Sequence, residues 1–359
     1  MQKLVGSLII LLVLLLSLEL ITGCSQQSNP LPSNLISPQG SNMPDSSPTL
    51  LPTTKATVIP PAGQSSTIVN ELVSIWGNSP ADIFALGSSN NGNVVVHYDG
   101  DSWSLMAGNL PNVLGGIWGI SSSDILAMGT AGGGGVILHY DGNKWSQMKG
   151  SMPNAVFDAW GTSSSDIFAI GQGGSVLHYD GNTWGNMISG TTFDLYGIWG
   201  SSDSDIFAVG GDANSGNVIL HYDGNTWSDV TVSDINNNLI DIWGSSSSDI
   251  FAVGINGKIL HYNGKEWNAM NSNTTNNLVA IWGSSSSDVF AVGQSGTILH
   301  YNGSEWNVIP NIKPVDLYGI WGSSISNVFA VGDRAVILHY DGKSWGVMSS
   351  GTTSNSEGF

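Results

Sequence analysis

Seven histidines are the residues of this sequence that most suggest chemistry, because imidazole is a common metal ligand and general base. One stands in each copy of a repeat: His97, His139, His178, His221, His261, His300 and His339. Ligands of one metal ion must converge within roughly 2 Å of it. If each repeat forms its own sheet, as argued below, equivalent residues of neighbouring repeats lie about 10 Å apart. We therefore predict no metal site and no cofactor, and expect each His to be buried and hydrogen-bonded within its own repeat.

Aspartates are the second candidates, since paired carboxyl groups hydrolyse glycosidic bonds. Five recur at one place in the repeat and are predicted to cap turns: Asp124, Asp166, Asp205, Asp249 and Asp288. Four others fall outside the repeat pattern and are candidates for catalysis at a channel mouth: Asp158, Asp194, Asp241 and Asp316. The segment 212–217 faintly resembles a calcium loop but lacks the distal carboxylate. No nucleophile elbow, His-Glu zinc motif or phosphate-cradling loop is found in the sequence.

These residues belong to seven copies of one phrase, whose clearest form runs from Ile281-Trp282-Gly283 to Trp306. Each copy holds two of the 14 Trp, and the first ones are Trp76, Trp118, Trp160, Trp199, Trp243, Trp282 and Trp321. Their spacings are 42, 42, 39, 44, 39 and 39 residues. Such a period, with Gly, Asn and Ser at the junctions, predicts a repeat architecture built of short strands.

Each copy is predicted to contain four strands. In the fifth copy these are Leu239 to Trp243, Asp249 to Gly254, Lys258 to Tyr262, and Trp267 toward Met270. The second and third strands are apolar on both faces, so each sheet is expected to pack between two others. We therefore predict an all-β fold, a seven-bladed β-propeller of four-stranded antiparallel blades over residues 67–350. Because every copy has all four strands, the ring is expected to close by packing of blade 7 against blade 1.

The turn Tyr179-Asp180-Gly181-Asn182-Thr183-Trp184 resembles the Asp-box of BNR and sialidase-type propellers. The wider phrase resembles the repeats of photosystem II assembly-factor propellers. The resemblance implies that the Asp accepts backbone N–H bonds within the turn and that the Trp packs into the blade. Asn263 and Asn302 replace this Asp in two copies. A sialidase also needs an arginine triad, which a chain with one arginine, Arg334, does not have.

The N-terminus resembles a bacterial lipoprotein signal. Lys3 precedes an apolar run, Leu8 to Leu16, and the segment from Leu20 to Cys24 resembles a lipobox. The resemblance implies a signal peptide over residues 1–23, lipidation of Cys24, and membrane contact through that N-terminal lipid only. Ser25 resembles the outer-membrane sorting pattern, so we expect an extracytoplasmic place in the cell envelope, at the outer membrane or cell surface. The alternative is an ordinary signal peptide or a membrane helix with an incidental Cys, although the apolar run is short for a span.

Residues 24–66 hold the lipidated Cys and a Ser/Pro/Thr-rich segment, which predicts a disordered tether with a reach of about 35 Å. Residues 351–359 are predicted to be a short tail. The formal net charge is −18, with eight Lys and one Arg. So few cationic groups neutralise few phosphates, and neither nucleic acid nor an anionic lipid surface is an expected partner.

Differences among the repeats suggest where a partner binds. The Ser-rich and Asp-Gly turns, which fall on one face of a propeller, are nearly uniform, whereas the loops of the other face vary. Variable loops on a rigid scaffold are where specificity usually lies, although neutral drift is the alternative. The candidate contacts are Asn91, Tyr196, Asp212, Asn214, Lys258, Tyr318 and Arg334.

The sequence thus predicts a lipid-anchored, non-enzymatic binding or scaffold module for a protein or an envelope glycan. The alternative is a carbohydrate-binding or carbohydrate-cleaving lipoprotein that uses channel-mouth Asp residues.

Overall fold

The computed structural model describes residues 68–212, 216–232, 238–310 and 312–350. The predicted signal peptide, Cys24, the tether and the tail lie outside these ranges and stay predictions. Among the residues that the structure describes, no helix is both long and apolar enough to cross a membrane.

Each repeat begins with an inner strand beside the ring axis and continues with a second strand. The inner strands are β1 (Val69–Ser79), β5 (Val113–Ser121), β9 (Val156–Ser163), β13 (Asp194–Ser202), β17 (Leu239–Ser246), β21 (Leu278–Ser285) and β25 (Leu317–Ser324). The second strands are β2 (Asp82–Ser89), β6 (Asp124–Ala131), β10 (Asp166–Gly171), β14 (Asp205–Asp212), β18 (Asp249–Gly254), β22 (Asp288–Gly293) and β26 (Asn327–Gly332).

Third and fourth strands complete the blades. The third strands are β3 (Gly92–Tyr98), β7 (Gly134–Tyr140), β11 (Val176–Tyr179), β15 (Gly216–Tyr222), β19 (Ile259–Tyr262), β23 (Ile298–Tyr301) and β27 (Ile337–Tyr340). The outer strands are β4 (Trp103–Leu110), β8 (Trp145–Gln147), β12 (Trp184–Met187), β16 (Trp227–Asp229), β20 (Trp267–Met270), β24 (Trp306–Ile309) and β28 (Trp345–Met348). Short 3-10 turns at 172–174, 255–257 and 294–296 join the second and third strands of blades 3, 5 and 6.

The strands form seven antiparallel sheets of four, each made of consecutive strands, which confirms the predicted fold class. No sheet mixes strands from the two ends of the described chain. Blade 7 packs on blade 1 through a cluster that includes Leu72 and Phe329, and a backbone bridge joins Glu71 to Asp333. The ring therefore closes by packing between two complete blades, as the sequence predicted.

The hydrophobic core is divided among the seven blade interfaces, one cluster at each. In blade 5 the residues from Ile250 to Val253 are all fully buried, with alternate side chains facing the two neighbouring blades. Burying a large apolar side chain contributes about 1.5–3 kcal/mol, so these doubly covered strands supply much of the stabilisation.

A bulge in the inner strands prepares the functional site. The register against the second strand shifts between Leu72 and Ser74, and again at the equivalent place in blade 5, between Leu239 and Asp241. A bulge re-aims the side chains around it. Here it comes immediately before the Ile-Trp-Gly segment, at the level where the inner strands line the ring axis.

Candidate functional site

The two faces of the ring are defined by their turns. The uniform face carries the turns between first and second and between third and fourth strands. The variable face carries the connections between second and third strands and those between blades. The inner strands run from the variable face to the uniform face, so each repeat contributes side chains to both ends of the channel.

On the uniform face each His pairs with the first residue of the second strand. Nε2 lies 2.7–2.8 Å from a carboxylate oxygen of that Asp in blades 1 to 5, for example His261 with Asp249. The pair is looser in blade 6, at 3.4 Å. In blade 7, Asn327 takes the place of the Asp at 2.7 Å. The bonds in blades 1 to 5 and 7 confirm that the His is hydrogen-bonded within its own blade, whereas His300 Nε2 of blade 6 has no hydrogen-bond partner. The His side chains are part-exposed rather than fully buried.

In blades 3 to 5 the second carboxylate oxygen of the same Asp accepts a bond from a hydroxyl of the inner strand, as Ser201 donates to Asp205 at 2.5 Å. Each His ring also stacks on the aromatic side chain of the second strand where one is present, with centroids 4.3–4.5 Å apart. The prediction that these Asp residues cap turns was wrong for Asp166, Asp205 and Asp249, because their carboxylates join His to Ser or Thr across three strands.

The turn between third and outer strands has the geometry that the sequence implied. The Oδ1 atom of Asp180 accepts the N–H groups of Asn182 and Thr183, both at 2.9 Å. Asn263 and Asn302 make the same pair of bonds through their side-chain oxygens. Where the residue is Asp, these N–H bonds lower the carboxyl pKa. The outer-strand Trp is buried in six blades and half-buried in blade 2.

The Ile-Trp-Gly segments lie at the end of the channel that is nearer the uniform face. A Cβ on Gly283 would lie 2.6 Å from the ring of Trp243, and the same contact recurs between Gly244 and Trp199. In six of the seven blades this glycine leaves room for the indole of the preceding blade, and Gly161 of blade 3 is the exception. The Trp of one blade therefore packs against the Gly of the next, and the role of this motif is structural.

The channel holds a cavity of about 300 Å³ on the ring axis. Its titratable side chains are Asp158, Asp241, Tyr196 and Tyr318. No Lys, Arg or His is among the residues that line it, all of which lie in the described part of the chain. The Phe157 ring stacks on that of Tyr196, with centroids 5.7 Å apart and an interplanar angle of 15°. The wall is thus aromatic and apolar, with two carboxyl groups and no cation.

Both channel carboxyls accept two backbone N–H groups, one from their own strand and one from the next blade. Asp158 accepts from Ala159 at 2.9 Å and Ile198 at 3.1 Å. Asp241 accepts from Ile242 and Ile281, both at 2.8 Å. These carboxyls are accessible from the channel but enclosed by protein, and this desolvation raises the pKa of Asp158 to about 6. Desolvation and then the charge of Asp158 raise the pKa of Asp241 to about 8.

The position occupied by these two carboxyls alternates around most of the ring. It is polar in blades 1, 3 and 5 and small in the others: Ser74, Gly116, Asp158, Gly197, Asp241, Ala280 and Gly319. Ser74 accepts the N–H of Ile117 at 3.2 Å, the bond that the carboxyls make in blades 3 and 5. A Cβ on Gly197 would lie 2.8 Å from the Cα of Asp241, so the inner strands approach too closely there for two large side chains in succession.

Asp194 and Asp316 do not line the channel cavity, contrary to the sequence-based prediction. Asp194 accepts the N–H of Gly173 at 2.7 Å, and Asp316 accepts that of Ser295 at 2.7 Å. Both donors lie in 3-10 turns of the preceding blade, so these carboxylates join neighbouring blades at the variable face. Only Asp158 and Asp241 are placed as predicted.

The two predicted tyrosines lie at the channel. Desolvation, followed by the charges of Asp194 and Asp212, raises the pKa of Tyr196. Desolvation, followed by the charges of Asp316, Asp333 and Glu71, raises the pKa of Tyr318. The phenol groups therefore stay neutral, and the carboxylates around them make this mouth of the channel acidic.

The remaining predicted contacts spread over the variable face. Asn91 and Asp212 are exposed, and Lys258 is half-buried directly after the 3-10 turn of blade 5. Arg334 is exposed, with its Nε atom 3.6 Å from Asp333, and has a positive φ of 56°. Asn214 lies outside the described residues. The structure brings Tyr196 and Tyr318 into one cavity but leaves the others apart.

Sequence reasoning missed the aromatic partner Phe157 and the distinction between the two pairs of Asp residues. A column-by-column comparison of the seven inner strands carries that signal, because Asp158 and Asp241 precede Ile-Trp or Ala-Trp directly while Asp194 and Asp316 stand three residues earlier. Within the described residues, no group of three His, Cys, Asp or Glu is arranged to hold a metal ion.

No protein-family model matches the sequence, and no curated protein sequence matches it. Solved structures do. YCF48 from Cyanidioschyzon merolae superposes with a TM-score of 0.62 at 14% identity, over 77% of this chain and 97% of that one. A structure of YCF48 bound to D1 peptide gives 0.62 at 15% identity, over 76% and 94%. Virginiamycin B lyase from Staphylococcus aureus gives 0.62 at 13% identity, over 74% and 94%. At these identities the likeness shows the shared propeller fold alone.

Proposed function

We propose that this chain is a lipid-anchored, extracytoplasmic binding module whose variable face engages a protein or another envelope component. The observation that carries the proposal is the contrast between the faces. On the uniform face the polar side chains are largely used in bonds that repeat within each blade. On the variable face the loops differ, and an acidic, aromatic channel opens among them.

The comparisons supply one supporting precedent. A propeller of the same fold has been captured with a peptide bound. Low identity does not carry that peptide over to this chain, but it supports the view that such a ring serves as a protein-binding scaffold. The predicted tether of residues 24–66 would hold the ring clear of the membrane while leaving its variable face accessible.

Four lysines allow the proposal to be tested with amine-reactive cross-linking on intact cells. Lys258 of blade 5 and Lys313, in the connection between blades 6 and 7, lie on the variable face. Lys265 of blade 5 and Lys343 of blade 7 lie on the uniform face. We expect links from one partner protein to Lys258 and Lys313, and far fewer to the other two. Partner links confined to Lys265 and Lys343 would contradict the proposal.

The anchor is tested separately. Cys24→Ser is expected to abolish incorporation of labelled palmitate and to release the ring from the membrane fraction, because the thiol is the predicted acceptor of the lipid. Membrane retention of this variant without label would overturn lipid anchoring. Glycan release by the wild type that is lost in Asp241→Asn would instead support the carbohydrate-cleaving alternative.

A further inference from the structure

The two carboxyl groups in the channel are not needed for the hydrogen bonds that they make. Ser74 accepts the same cross-blade N–H with a neutral hydroxyl. Four other blades carry Gly or Ala at this position and make no such side-chain bond. Burying a carboxylate without a cationic partner costs free energy. Because a neutral Ser makes the same bond in blade 1, the structure does not require a charge at this position, and the two Asp residues are candidates for binding a ligand.

The cavity around these carboxyls has a shape and lining that fit one kind of group. A volume of about 300 Å³ is at the lower limit of ligand pockets, enough for one side chain but too little for a secondary-structure element. Phe157, Tyr196 and Tyr318 supply aromatic surface, which attracts cations and covers alkyl chains. Each carboxylate oxygen accepts one N–H and retains capacity for a second donor.

Charge selects among the occupants that fit. The lining contributes two acidic side chains and no basic one. The surrounding mouth adds Glu71, Asp194, Asp316 and Asp333, whose charges act on the neighbouring tyrosines. A compact ammonium on a flexible alkyl stem satisfies both requirements, since its head pairs with carboxylates while its stem packs on the rings.

We propose that the channel receives a lysine side chain of the partner, with its ammonium group held between Asp158 and Asp241. This inference rests on the proposed function, of which it specifies the partner's contact. It also explains why the carboxyls stand in the axial cavity while the equivalent positions of blades 2, 4, 6 and 7 are small.

The test measures binding of Nα-acetyl-lysine N-methylamide to the ring by calorimetry. Its Nε-acetylated form is the neutral counterpart, and putrescine and calcium chloride represent a free polyamine and a metal ion. We expect the lysine probe to bind saturably and the Nε-acetyl probe not to bind. Asp158→Asn and Asp241→Asn should each weaken binding by about tenfold or more, because each leaves the ammonium with one carboxylate.

Asp203→Asn is the matched control, since it removes the same charge from an exposed turn of the uniform face. We expect its affinity for the probe to stay within about twofold of wild type. Affinity of the wild type should rise between about pH 6 and pH 9 as the two carboxyls ionise, while the probe, with a pKa of about 10.4, stays charged. Asp241→Asn should lose the upper part of this rise.

Each other outcome overturns the inference. Equal binding of the neutral probe, or equal loss in Asp203→Asn, would show that the channel carboxyls do not select the ammonium. Tighter binding of putrescine or calcium than of the lysine probe would assign the cavity to a free polyamine or a metal ion. If no probe binds while cross-links still map to Lys258 and Lys313, the lysine contact fails and the proposed function stands. If the links are also absent, both fail.

Discussion

The inner strand of every blade has two halves that differ in what they contribute. The half near the uniform face reads Ile-Trp-Gly in six blades and Ala-Trp-Gly in blade 3. The half near the variable face changes from blade to blade, with Glu71, Asp194 and Asn277 at one position and Ser74, Gly197 and Asp241 at another. One strand thus combines a constant packing element with a variable lining.

The difference shows how a repeat protein separates stability from specificity. A glycine that receives the indole of the previous blade recurs at six of the seven blade interfaces, whereas Gly161 of blade 3 packs against its own second strand. In the other half the close approach of neighbouring strands restricts single positions such as Gly197, but the side chains that face the axis or the 3-10 turns differ from blade to blade. Changes in the constant half should therefore alter folding, and changes in the variable half should alter binding and its pH dependence.

The largest effect is expected from Gly283→Val. The new side chain would overlap the Trp243 ring, whose atoms lie 2.6 Å from the Cβ position. We expect a loss of about 3 kcal/mol or more in the free energy of unfolding, measured by urea denaturation. Gly346→Val is the matched control, because nothing lies within 4 Å of its Cβ position, and its change should stay within about 0.5 kcal/mol. Equal losses in the two variants would refute the coupling of Trp and Gly.

A smaller effect, with a definite pH dependence, is expected from Asp241→Asn. The pKa of Asp241 is raised to about 8 in the folded state, so the folded state binds a proton that the unfolded state has released. Its contribution to stability is therefore present at low pH and is lost as pH rises from the unfolded value of about 3.9 through about 8. The wild type should lose about 4 kcal/mol between about pH 5 and pH 9 through this group.

Asp241→Asn should lack most of that loss. At about pH 5 the variant should be the less stable protein by about 1–3 kcal/mol, because an amide oxygen replaces only one of the two acceptors for Ile242 and Ile281. At about pH 9 the difference should vanish or reverse. Asp203→Asn should follow the wild-type curve, and a wild-type curve without the decline would show that Asp241 is ionised throughout.

Blade 7 allows a subtler test within the constant half. His339 faces Asn327 where the other blades have Asp, and desolvation lowers its pKa. Asn327→Asp should raise this pKa, which NMR titration of the ring protons measures, because a carboxylate favours the imidazolium ion. The pair should add about 0.5 kcal/mol of stability below the new pKa and none above it. An unchanged titration of His339 would contradict this account of the His–Asp pairs.

The smallest effect concerns charge at the rim. If the partner presents a lysine, Lys258→Glu should strengthen its capture by up to about tenfold at low salt, since a repelling charge becomes an attracting one. Lys265→Glu makes the same change on the uniform face of the same blade and should leave capture unchanged. Weaker capture by Lys258→Glu would mean that the partner surface is not cationic there.

Much of the fold could be predicted because its determinants are local and recur seven times. The doubly apolar strand from Ile250 to Val253 predicts stacked sheets, and Gly and Asx residues mark the turns. Complete repeats also predicted the closure, which the contact between Leu72 and the Phe329 region of blade 7 confirms.

The candidate site was predicted less well, because it depends on where single side chains point. Every inner strand has a bulge between two positions, one three residues before the other. Asp194 holds the earlier position in blade 4 and reaches the turn of the preceding blade, whereas Asp241 holds the later position in blade 5 and lines the channel. Periodicity does not reveal a bulge. The recurring aspartates, such as Asp249, were assigned to turns because their partner His261 is distant in sequence and adjacent only across the sheet.

The division between the two faces is tested most directly by hydrogen exchange of the intact ring, free and bound to the partner identified by cross-linking. We predict slower exchange in the complex at residues 172–174, 255–257 and 294–296 and at the inner-strand residues next to Asp158 and Asp241. Exchange in the Tyr-Asp-Gly turns, such as residues 179–184, should not change. Protection confined to those turns, with the 3-10 turns unchanged, would place the partner on the uniform face and contradict the account.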